Sequence, residues 1–224
     1  MSSSWRAEVL AVLRKELVSE LRSRAGVLTA GLFSAVSVFA VSMAAFGERL
    51  TGSLAAGLLW VTLLFASIVA LPRTFVSEQE TGTLTLLRLV ARPETVFWGK
   101  ALFNVGQMLL TSLFLSILFL MLLGLEIQIP GLYLLSMVGG SVALAGTVTL
   151  CGALVAQAAN RSALVGAIAL PPLLPLLAMG VGSARVALGE GGLTGGYLSA
   201  LGLLFYGVAV FAAGPLLLSA AWKN

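Results

Sequence analysis

The sequence predicts an all-α integral membrane protein of six transmembrane helices with both termini in the cytoplasm. Three observations carry that prediction. Six apolar runs occupy 27–47, 52–71, 101–123, 132–158, 162–180 and 198–219. Each is near the ~20 residues that a helix needs to cross the hydrocarbon core. The 224 residues are 59% hydrophobic and 10% charged, with a mean hydropathy of +1.05; soluble domains carry about 25% charged residues. Finally, with the N-terminus inside, Arg6, Arg14, Lys15, Arg22, Arg24, Arg73, Arg88, Arg92, Lys100, Arg161 and Lys223 fall on the cytoplasmic side and only Arg49 and Arg185 outside. Eleven against two, of thirteen Lys and Arg in all, obeys the positive-inside rule. The net charge of +4 therefore reports orientation rather than affinity for nucleic acid.

The division expected is an amphipathic interfacial helix over 1–25 and a six-helix transmembrane domain over 26–224. In residues 5–24, Trp5, Val9, Val12, Leu13, Leu17 and Leu21 recur at three- and four-residue spacing, and Arg6, Arg14, Lys15, Glu16, Arg22 and Arg24 fall largely elsewhere. This segment reads as a surface anchor, with or without a soluble partner. It does not read as a cleavable signal peptide. The first hairpin turns outside at 47–52. Trp60, near mid-span, reads as a packing residue or the wall of a helix–helix groove.

Residues 72–100 form the longest cytoplasmic excursion between spans. Ser77 and Glu80 have capping-box spacing, which predicts a helix start. Leu84, Leu87 and Leu89 give that helix an apolar side. Arg92-Pro93-Glu94 predicts a break, with Pro93 in the first turn of a new helix and Glu94 favourable to its dipole. The bland alternative is a solvated loop.

In the third span Lys100, Asn104, Gln107 and Thr111 follow at steps of four, three and four, one polar stripe on a helix in lipid. Such a stripe faces protein or a watered groove. It serves either as interhelical hydrogen-bonding glue or as a substrate or gating path. Ser141, Ala145, Thr149, Gly152 and Ala156 make a close-packing face on the fourth span. Pro171, Pro172 and Pro175 predict that the fifth span kinks or stops early, followed by a short re-entrant or interfacial outer element.

Chemistry within the chain is sparse. It has no His and no Asp, which removes the commonest general base and metal ligand. No metal site and no catalytic residue is expected. The phosphate-loop pattern is absent: Gly99-Lys100 is the only Gly-Lys pair, with Glu94 at the first glycine position and Ala101 after the lysine. ATP chemistry is therefore expected on another chain. Cys151 lies inside an apolar run and can make no intrachain disulfide.

These parts together resemble the membrane subunits of ABC-2-type exporters, and more closely the haem exporter protein B family (CcmB) of cytochrome c maturation. The resemblance covers essentially the whole chain. It rests on the opening RKEL, on SEQETGTLTLLRLVARPETVFWGKAL, on the small-residue fourth and proline-rich fifth spans, and on the AAGPLLLSAAWK tail. It implies a type V ABC exporter-like fold in the inner membrane and a homodimer of this chain. It also implies a CcmA-like ATPase, a CcmC-like haem-handling membrane protein, a small CcmD-like membrane partner and a CcmE-like periplasmic haem chaperone. The segment from Glu78 to Leu89 would be the coupling helix, with Ser77, Glu78, Glu80, Gly82, Leu84 and Leu87 at the ATPase contact. No cofactor is expected on this chain itself: ATP belongs to the partner subunit and haem to the complex. The competing readings are an ABC-2 permease for a lipid, drug or polysaccharide, a membrane-embedded enzyme, for which Glu126 and Glu190 alone make no site, and an ATP-independent channel.

Overall fold

A computed structural model describes residues 4–45, 50–155 and 161–223, with the side chains of Arg73, Glu80, residues 161–169 and Lys223 outside that description. Nine helices and no strand occur among the described residues: α1 (Trp5–Ser23), α2 (Ala25–Ala44), α3 (Gly52–Ala70), α4 (Arg73–Glu80), α5 (Thr83–Val90), α6 (Pro93–Leu123), α7 (Pro130–Val155), α8 (Arg161–Ala187) and α9 (Leu193–Lys223). Six stretches are long and apolar enough to cross a membrane, on α2, α3, α6, α7, α8 and α9. They alternate in direction, so Trp5 and Trp222 lie at one end of the bundle, beside α5 and the start of α6.

The central helix is α7, whose spanning stretch is 78% buried; that of α2 is 17% buried and sits at the periphery. Small residues explain the centre. Gly140 on α7 and Gly180 on α8 both face the Trp60 ring so closely that a Cβ at either would overlap it. Trp60 is thus a packing residue, held where small residues let helices approach. Of the predicted small-residue face, Ser141, Ala145, Thr149 and Gly152 are buried, whereas Ala156 lies outside the described residues. So do residues 47–49 of the 47–52 turn.

Two expectations are corrected. The fifth span neither stops at its prolines nor yields a re-entrant element: α8 carries Pro171, Pro172 and Pro175 inside it and continues to Ala187, and α9 begins at Leu193. Among apolar neighbours, leaving the helix would strand more backbone groups than the three donors that proline removes. Tyr206 of α9 also donates to the Pro172 carbonyl at 2.8 Å, tying that turn down.

The second correction concerns 72–100. No helix starts at Ser77. The third helix runs through Leu71 and Pro72 almost directly into α4, where Ser77 is internal and its carbonyl accepts from the Thr81 N–H. The chain then turns at Gly82, whose φ of +72° suits glycine, and starts α5. Two short helices replace one. The break at Arg92 and the new helix with Pro93 in its first turn form as predicted.

Candidate functional site: a buried charge cluster under the α4–α5 layer

At the end of the bundle that carries the termini, α1, α4, α5 and the first turns of α6 and last turns of α9 build a second, smaller core. Val12, Phe75, Leu84, Phe97 and Leu218 are its main members. α1 packs lengthwise along α6, in the same direction: Glu8 lies 3.8 Å from Arg92, Trp5 stacks edge-on against Trp98, and a Cβ on Gly99 would stand 2.6 Å from Val12. The Leu10, Leu17 and Leu21 face of α1 remains exposed.

Lys100 occupies the middle of this layer and is fully buried. Its ammonium donates to Glu16 Oε1 of α1 at 2.6 Å and to Glu78 Oε1 of α4 at 2.9 Å, and it also donates to the Thr74 carbonyl. It lies 4.8 Å from the centre of the Phe75 ring. Lys15 closes the cluster from outside, 3.1 Å from Glu16 and in contact with Glu78. Two cations meet two carboxylates, so the cluster is neutral. An unpaired ammonium buried here would be prohibitive, and the three acceptors convert it into a rigid bolt between α1, α4 and α6. Burial, then the Lys100 charge, hold the Lys15 ammonium below the usual lysine value.

The predicted stripe therefore splits by depth. Lys100 belongs to this cluster. Asn104 bridges to the Thr149 hydroxyl of α7 at 2.8 Å and to the Leu71 carbonyl at 3.3 Å. Gln107 is buried with no partner for Nε2 among the described residues, and Thr111 returns its hydroxyl to the Gln107 carbonyl.

The residues predicted at a partner contact are divided too. Ser77 and Gly82 are exposed, Leu87 is half-buried and Leu84 is buried in the small core. Glu78, expected on the outer face, is turned inward to Lys100. The Glu80 side chain lies outside the described residues. The exposed apolar side of α5 is Leu86, Leu89 and Val90. Glu16 was not foreseen as part of any site. The signal was present: Val9, Val12 and Glu16 are the buried residues of α1, at steps of three and four, so the carboxylate continues the apolar stripe.

At the opposite end Glu190, in the turn between α8 and α9, accepts from the N–H groups of Gly52 at 2.5 Å and Ser53 at 2.8 Å and from the Ser53 hydroxyl. It supplies an acceptor and a negative charge to the start of α3, alongside the Thr51 cap. Those Ser53 bonds, with help from Gly52 and Arg185, hold its carboxyl below the ordinary range.

A family model described as CcmB protein matches residues 7–221. Heme exporter protein B of Bradyrhizobium diazoefficiens is 28% identical over 181 residues, covering 80% of this chain and 81% of that protein. With a match across nearly its whole length and six membrane-spanning helices, the chain belongs to the CcmB protein family.

Proposed function

We infer that this chain is the membrane subunit of an ATP-driven haem-delivery complex of the inner membrane. The observation that carries the reading is the family match over residues 7–221, with a relative named as a heme exporter. The end carrying the termini faces the cytoplasm in this reading, in keeping with the eleven-to-two charge count. ATP is bound and hydrolysed by a separate subunit, haem is carried by the complex rather than ligated by this chain, and a second copy completes the permease.

The charge cluster supports a coupling role. A push on α5 from a soluble ATPase reaches α4 across the Gly82 turn. From α4 it passes through Glu78 to Lys100 of α6, and through Glu16 to α1. Hydrogen bonds between charged groups are about twice as strong as neutral ones, so the contact holds α4, α6 and α1 together as they move. The α5 side that meets the ATPase is Leu86, Leu89 and Val90, apolar anchors of the kind that dominate interfaces.

Co-purification with the ATPase subunit tests this. Leu86→Glu/Leu89→Glu should leave insertion and the helical fold intact, because both residues are exposed, and should abolish association. Retained association and retained ATP-dependent haem delivery would refute the reading.

A further inference from the structure

A cleft of about 570 Å³ opens between the end of α1, the start of α2, α4 and the middle of α6. Its size is in the range of small-ligand sites. Glu16 and Glu20 line one side and Gln107 another. Gln107 is 5% exposed, yet its Nε2 has no hydrogen-bond partner among the described residues. Glu20 accepts from the Val27 N–H with Oε1 at 2.8 Å. A Cβ on Gly26 would stand 2.6 Å from Gln107 Nε2 and 3.1 Å from Glu20 Oε2. The two polar groups converge over a bare Cα.

The cleft lacks two things: an acceptor for a buried amide donor, and a donor for carboxylate oxygens that Lys100, Lys15 and Val27 do not use. One small zwitterion supplies both. Depth identifies its source. The apolar stretch of α2 begins at Ala25, in the cleft wall, so the cleft sits where hydrocarbon gives way to headgroups. We propose that this cleft binds the headgroup of an ethanolamine phospholipid, the ammonium on Glu20 and Glu16 and a phosphate oxygen on Gln107 Nε2. A choline headgroup has no N–H to give the carboxylates. A glycerol headgroup adds a negative charge without an ammonium to offset it.

The full-length chain, placed in nanodiscs of equimolar dioleoyl phosphatidylethanolamine, phosphatidylcholine and phosphatidylglycerol, is released into native mass spectrometry and its retained lipid identified. Phosphatidylethanolamine should be preferred. Gln107→Leu should lower its retention about fivefold, the worth of one net hydrogen bond, and Glu20→Gln should do so independently while keeping an acceptor for Val27. In lipid-free detergent Gln107→Leu should be at least as stable as the wild type, since an unpaired buried donor has been removed. Added phosphatidylethanolamine should raise the Tm of the wild type and not of the variant. Equal retention of the three lipids by the wild type would overturn the proposal. So would full retention by a Gln107→Leu chain that is folded in detergent.

Discussion

The two cores of this protein are built on opposite principles. In the spanning body, helices are held by contact: Trp60 fills the space left by Gly140 and Gly180, and Leu132 and Leu144 of α7 share one apolar core with Leu203 of α9. In the layer of α1, α4 and α5, α1 and α4 are bolted to α6 by three charges around one buried ammonium. The contrast follows from solvent. Lipid tails are as apolar as leucine, so the body gains little from hydrophobicity and relies on close packing. The layer lies beyond the apolar start of α2, where charges are tolerated but two eight-residue helices cannot stand alone. Bonds from one buried ammonium to Glu16, Thr74 and Glu78 tie α1 and α4 to α6, which suits a part that must pass movement on.

If the layer is held by charge, breaking the bolt should have the largest effect of any single substitution. Lys100→Met leaves Glu16 and Glu78 buried together, and losing one partner of a buried ion pair costs about 3–5 kcal/mol. At roughly 2–4 °C per kcal/mol for a chain of this size, the Tm falls by roughly 10 °C. Replacing the three buried members, Lys100→Met with Glu16→Leu and Glu78→Leu, should recover most of that stability. A triple variant as unstable as the single one would show that these charges are not one unit. Thermal unfolding followed by gel filtration measures both.

If the body is held by contact, one added methyl should disturb it. Gly140→Ala places a Cβ inside the Trp60 indole, which Gly180 also abuts. Such overpacking costs about 1–3 kcal/mol. Trp60→Phe in the same chain should relieve part of it, a non-additivity expected of residues in contact. Additive losses would mean that the indole moves aside freely.

A smaller effect is expected where the body uses a charge at its far end. Glu190 has a folded pKa below the ordinary 4.5. Its contribution is therefore full above the ordinary value and is lost as pH falls through the lower folded one. Glu190→Gln should lower the Tm at neutral pH by less than Gly140→Ala does, and the difference from wild type should shrink on acidification. A gap that widens towards acid would reverse the assignment.

The spans were legible because composition and charge asymmetry act over long windows, where local errors average out. The Lys100 partners were not, because Glu16 and Glu78 lie 84 and 22 residues away and only folding brings them together. A lysine following Pro93, Phe97 and Gly99 on an apolar helix does announce that it needs anions. Glu16, in step with Val9 and Val12, was the nearest thing to a visible answer. The proline-bearing fifth span misled for the converse reason: local propensity favours a stop, and the surrounding helices outweigh it. The start at Ser77 misled because its spacing to Glu80 imitates a helix start inside a helix that Pro72 had already opened.

The smallest effect should come from the fourth charge, and it separates burial from charge as the cause of the bolt's strength. Lys15 makes the same kinds of contact as Lys100, to the same two carboxylates, but its side chain is 47% exposed against none for Lys100. Water already screens it, and pairs of that kind are worth about 0–1 kcal/mol. Its folded pKa is lowered from 10.5, with burial the leading cause, so the folded state resists its charge. For a lysine lowered in the folded state, the unfolded chain binds more protons between the two values, and stability rises with pH across that alkaline window. Lys15→Gln keeps a donor near Glu16 and Glu78 and removes the titration. The variant should lie within about 1 kcal/mol of wild type at neutral pH and lack the alkaline gain, which a Tm series taken towards pH 10.5 resolves. A loss as large as that of Lys100→Met would mean that the carboxylates need both ammonium ions, and that the number of charges rather than depth holds the layer in place.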